Sequence, residues 1–154
     1  MTSRSVVIGS DGRAKAYRPL PESDRAAALA AGLAAYERGD FFAAHEHLEP
    51  AWMGTDDPVE RAWLQGLIKL AAAYVHAVRG NPAGIAKNLE GARIQLSEAA
   101  EAAAEVAAPA VTMPGGGQLD LHDLIAAVDL RLADLATHPT AATLGPPVLR
   151  RSAT

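Results

Sequence analysis

Three junctions of the same kind divide this chain, and a fourth capping residue follows them: Gly39-Asp40, Asp57-Pro58, Gly80-Asn81-Pro82 and Asp120. A glycine just past a periodic apolar stretch takes the left-handed position that ends a helix. An Asp or Asn that follows caps the exposed N–H groups of the next helix, and proline is welcome at its first helical position. A chain divided in this way must fold into consecutive helices joined by tight turns. Residue periodicity then fills in the helices. The first starts at about Glu22 or Ser23, with Leu29, Gly32, Leu33 and Tyr36 on one face. The second runs from the Asp40 cap to about Met53, with Pro50 expected to bend or end its last turn. The third starts at Asp57 as cap, with Pro58 at the first position and Glu60 placed for a capping box. It continues to about Arg79 and is apolar around much of its circumference, as the central helix of a bundle is. The fourth carries Ile85, Leu89, Ala92 and Leu96 and fades into Ala/Glu repeats before Pro109. The fifth follows Asp120, with Leu121, Leu124, Ile125, Val128, Leu132 and Leu135 as its stripe.

The expected organisation is therefore an extended arm over 1–21, one helical domain over 22–137, and a tail over 138–154. Within the arm, Val6-Val7-Ile8 is a short docking segment; between the fourth and fifth helices, Met113 to Gly117 is a flexible loop. At 154 residues the chain has the length of one domain. Alanine supplies much of the 49% hydrophobic content and aromatics only 5%, which favours closely packed helices over a β-sandwich. The formal charge of -4 comes with no basic stripe, so no nucleic-acid partner is expected. The absence of cysteine excludes disulfides, thiolate zinc sites and cysteine nucleophiles. The first residues lack the pattern of a signal peptide, and no apolar run approaches the roughly 20 residues of a membrane span. A soluble, cytoplasmic, all-α protein is expected.

Gly39-Asp40 recurs as Gly80-Asn81, and Leu48-Glu49 as Leu89-Glu90, at one constant offset. Two stacked hairpins of tetratricopeptide-like kind plus a C-terminal helix fit that repeat. Opposite His45, Glu46 and His47 the second unit has Ala86, Lys87 and Asn88, so helix packing as such does not demand the ionisable trio.

That trio is the densest chemistry in the chain. Phe41, His45, Leu48, Glu49 and Trp52 share a helical face, and His45 and Glu49 stand one turn apart, about 6 Å along the axis. A histidine and a carboxylate so placed can ligate one divalent metal or share a proton. Glu46 sits on the shoulder as a candidate general base, and His47 points away. The order His-Glu-His-Leu-Glu is not the zincin motif, because Glu49 stands where a second histidine belongs. An antiparallel hairpin turning at 54–57 sets Gln65 level with His45 and Glu46. His76 falls about 16 Å further along the third helix, so the two cannot both touch one ion. Gln65, His76 and Trp52 are the candidate binding residues. A buried His–Glu–Gln cluster is equally well a hydrogen-bond network that fixes helix register. Trp52 and Trp63 also suit the core, and His122 and His138 suit the surface.

Phe41-Phe42-x-Ala44-His45-Glu46-x-Leu48-Glu49-x-x-Trp52 resembles the signature of the DUF309 family, as do Leu64 to Ile68, His76 and Gly80-Asn81-Pro82-x-Gly84. The resemblance covers roughly residues 26 to 98. Two positions depart from it: Ala43, where the family usually has Glu, and Lys69, where it often has Gln. The resemblance implies a compact helical bundle, a function generally regarded as unknown, and a description as predicted metal-dependent hydrolases. Its polar signature falls here on His45, Glu46, Glu49, Gln65, His76 and Asn81, with Asn81 already explained as a helix cap. Two readings stand side by side. In one, His45 and Glu49 hold a divalent metal and Glu46 acts as base in hydrolysis. In the other, the protein is a non-enzymatic, self-associating binding or scaffold module whose cluster is structural. A pocket for an anionic small molecule at Gln65 and His76 is a third.

Overall fold

The caps read from the sequence are the ones that form. In the computed structural model, which describes residues 6–8, 14–105, 110–138 and 145–152, five helices follow one another: α1 (Glu22–Glu37), α2 (Phe41–Met53), α3 (Pro58–Val78), α4 (Pro82–Ala104) and α5 (Leu121–Thr137). Asp40 accepts from Ala43 N, Asp57 from Val59 N, Asn81 from Gly84 N and Asp120 from Asp123 N. Each satisfies one of the donors that a helix start leaves open. Pro50 does not end α2, which continues to Met53.

The capping box expected at α3 is assembled differently. Asp57 N donates to Thr55 Oγ1 at 3.2 Å. Glu60 turns instead to Arg25 of α1, with 2.9 Å between Oε2 and Nε. A guanidinium within reach adds a full opposite charge to the hydrogen bond, which a backbone N–H does not.

Helices pack in chain order, α1 on α2, α2 on α3, α3 on α4 and α4 on α5. Two close approaches set the hairpins. A Cβ at Gly32 would stand 2.7 Å from Leu48 Cγ, and one at Gly66 would stand 2.7 Å from Leu96 Cγ. The core is continuous through all five helices, with Leu48, Trp63, Leu64, Leu89, Leu96, Leu124 and Val128 buried. α3 lies at its centre, as its all-round apolar character requires. Among the described residues no helix is long and apolar enough to cross a membrane.

Short strands close both ends. β1 (Val6–Ile8) pairs antiparallel with β2 (Ala14–Ala16). The arm then runs along the end of α2 through Arg18 N to Met53 O and Leu20 N to Gly54 O. After α4, β3 (Val111–Thr112) and β4 (Gln118–Leu119) form a hairpin. The stretch between them, read from the sequence as a flexible loop, is a bonded turn. Met113 N donates to Gly117 O at 2.9 Å, and Gly115, Gly116 and Gly117 all have positive φ. Residues 145–152 lie within the segment expected as a tail, yet they return to the bundle as a docked strap. Pro147 and Leu149 are buried, and β5 (Arg151–Ser152) pairs with β4.

Candidate functional site

α2 presents the predicted residues according to helical phase. Ala44, Leu48, Ala51 and Trp52 are buried. His45 and Glu49 are half-buried on one flank, and Glu46 and His47 are exposed. Trp52 keeps 3% of its surface, which makes it a core residue. His45 is placed by its helix and by half-burial of its ring.

The Phe41 and Tyr74 rings meet at 5.5 Å and set the register of α2 against α3. Counted from that contact, His45 stands about level with Leu70, and Glu49 about level with Gly66. Opposite Gln65, then, stands Glu49, with His45 a helical turn away. Gln65 is 6% exposed, and among the described residues its buried Oε1 has no hydrogen-bond partner. Along α3, Gln65, Lys69, Ala72 and His76 recur at spacings that share one stripe. α4 gives this stripe room. The Lys69 stem lies on Gly91, where a Cβ would stand 3.2 Å from its Cδ.

His76 belongs to the junction of α3 with α4. A Cβ at Gly84 would overlap its ring, 2.5 Å from Nδ1. Asn81 Oδ1 accepts from Gly84 N at 3.4 Å, which leaves its NH2 group facing His76 Nδ1 at 3.1 Å. Nδ1 is therefore the acceptor, and the neutral ring carries its proton on Nε2. The sequence read Asn81 as a helix cap; its second role, setting the tautomer of His76, comes from the same amide.

Among the described residues no three His, Cys, Asp or Glu side chains are grouped as a metal ion would need. His45 and Glu49 supply two ligand types, and a catalytic zinc takes three protein ligands. This donor set does not fit a resident catalytic zinc.

Two clusters carry no signal in the sequence. At the first, burial pushes the Tyr36 hydroxyl far above its ordinary range, with Tyr74 adding to the rise and Arg131 opposing it. Burial likewise raises Tyr74, against the pull of Arg131. The purpose of this cluster is architectural: Tyr36 OH donates to Pro147 O at 2.7 Å, and Arg131 Nε donates to Gly145 O at 2.9 Å. Together they hold the strap. The second cluster is the Arg25–Glu60 pair, which lines a cleft of about 390 Å³ with Tyr17 and Thr55. Partners so far apart in the chain leave no local periodicity from which they could be read.

Fold and face define an all-α bundle of successive hairpins, with a polar stripe along its central helix flanked by α2 and α4. Residues 29–88 match the family model of a domain of unknown function, DUF309, and this stretch of the chain carries that domain. No curated protein and no solved structure matches the chain.

Proposed function

We propose that the protein is a non-enzymatic binding module whose ligand is received on the stripe of α3 beside His45 and Glu49. Gln65 carries this reading. A buried amide oxygen without a partner among the described residues costs about 1–3 kcal/mol, and a ligand N–H or O–H that replaces the water otherwise needed there relieves that cost. The ligand class is one that offers an N–H or O–H group to Gln65 Oε1. Glu49 and Lys69 border the same stripe with opposite charges, so a small amide or amine with an N–H for Gln65 is the probe of choice.

The test is Gln65→Leu, which removes the orphaned acceptor at little change in volume. Urea unfolding should find the variant as stable as the parent or more stable. NMR titration with small amides and amines should shift the Gln65 and His45 side-chain signals in the parent and leave His45 unshifted in the variant. A variant destabilised by several kcal/mol makes Gln65 a structural residue and ends the proposal. The narrower reading, a metal-dependent hydrolase with Glu46 as base, is addressed by equilibrium dialysis of untagged protein against zinc. Stoichiometric binding lost in His45→Ala would restore it in place of the binding module.

A further inference from the structure

A second surface is built at the end of the bundle where α1 turns into α2, and it is independent of Gln65. Three of the large apolar side chains left in solvent gather there: Phe42 at 59% exposure, Val78 at 77% and Val148 at 71%. Isolated apolar side chains on a surface need no explanation, but these three frame two adjoining clefts. Phe42 and Val78 border one of about 190 Å³. Val148 borders the other, of about 580 Å³, together with Tyr36 and the Pro146-Pro147 step of the strap. Gly39 and Phe41 line both clefts and join them into one surface. Knobs and hollows thus lie side by side on the same face.

The charges around this face indicate what covers it. Arg38 and Arg79 stand on its border with Glu37 and Asp40, and all four are exposed. Arg38 lies only 3.9 Å from Asp40. Glu37 is likewise held by Arg151 at 2.8 Å, so the border carries both signs as exposed ion pairs. A border of one sign would suit a partner of opposite charge. A border with both signs, on a chain of net charge -4, is matched by its own two-fold image, in which arginines and carboxylates exchange partners across the axis.

We propose that this end of the bundle is the isologous interface of a homodimer, with Phe42 of each copy seated in the other copy's cleft beside Val148. The docked strap is then part of the interface as well as of the fold. Among the described residues the remaining large apolar side chains in solvent are Ile94 and Leu130, at 55% and 61% exposure. They border neither cleft and serve as controls.

Sedimentation equilibrium on the full chain tests the proposal. The parent should dimerise. Phe42→Glu and Val78→Glu should each raise the dissociation constant at least about tenfold, as loss of a central apolar anchor does. Ile94→Glu and Leu130→Glu should leave it unchanged, and circular dichroism should find all four variants folded. If one of the first two fails to fold, the other still decides. A parent that stays monomeric up to its solubility limit overturns the proposal. So does a dimer that persists in both Phe42→Glu and Val78→Glu, and so does a dimer broken by either control.

Discussion

The two hairpin turns of this bundle agree in backbone and differ in what fills them. At the first, Gly39 N donates to Tyr36 O at 3.0 Å and Asp40 N to Ala35 O at 2.9 Å. At the second, Gly80 N donates to Ala77 O at 3.1 Å and Asn81 N to His76 O at 2.9 Å. Both glycines have positive φ, 83° and 68°. In each, the capping side chain accepts from the third residue of the next helix. The side chains then part. Where the first turn has Ala35 and Ala43, the second has His76 and Gly84. Volume has been moved from one partner to the other: the imidazole fills the space that a methyl group at position 84 would need. The repeat thus fixes the backbone of the junction, and the functional-looking residue enters as an exchange within that frame. His76 is bound into its turn by Asn81, whereas His45 is placed by its helix and by half-burial of its ring.

If the repeat is energetic as well as geometric, equivalent core positions should weigh alike. Leu48 and Leu89 correspond, and they are 2% and 0% exposed. Leu48→Ala and Leu89→Ala should each cost about 2–5 kcal/mol in urea unfolding, as deletion of a buried leucine does. The two values should agree within the spread that cavity collapse allows. A Leu89→Ala variant that loses nothing would confine the correspondence to the turns.

A sharper form of the comparison rewrites the second turn as the first. Gly84→Ala alone drives a methyl group into the His76 ring and should cost about 1–3 kcal/mol, the usual penalty of overpacking. His76→Ala together with Gly84→Ala restores the Ala/Ala pair found at Ala35 and Ala43. The double variant should recover much of that loss, because the clash is gone and alanine is the better helix former. The coupling is read from the full double-mutant cycle. Additive single effects would mean that the ring and the glycine do not share the space.

This pattern marks how far the sequence could be read. Asp40, Asp57, Asn81 and Asp120 all cap the helices they were expected to cap, because capping is decided within three residues of chain. The helical faces of α2 and α3 were legible for the same reason. Glu60 was not, since its local role was displaced by Arg25, 35 residues away. The level of Gln65 moved from His45 to Glu49 because register between helices is set by the rings that meet, Phe41 and Tyr74, and not by the midpoint of the turn. The strap was invisible altogether. Two-residue strands and a Pro-Pro step have no period, and their partners lie as far as 114 residues away.

Tyr36 is where the comparison breaks most plainly, since the second hairpin has Ala77 at the matching position. The extra residue binds the strap through Pro147 O. Tyr36→Phe keeps the ring and removes the donor, leaving a buried carbonyl unpaired, and should cost about 1–2 kcal/mol near neutral pH. Its pH dependence identifies the source. Burial holds the hydroxyl of the folded state protonated above the ordinary value of 10.0. Above that pH the unfolded chain loses its proton first and the folded state does not. The stabilisation is therefore complete below pH 10 and is lost progressively as the pH rises toward the folded-state value. Phenylalanine has no proton to lose, so the alkaline decline should be shallower in the variant, with Tyr74 supplying part of what remains. The gap between parent and variant should accordingly close above about pH 10 in urea unfolding. A variant as stable as the parent near neutral pH would mean that the ring's packing, and not its hydroxyl on Pro147, holds the strap.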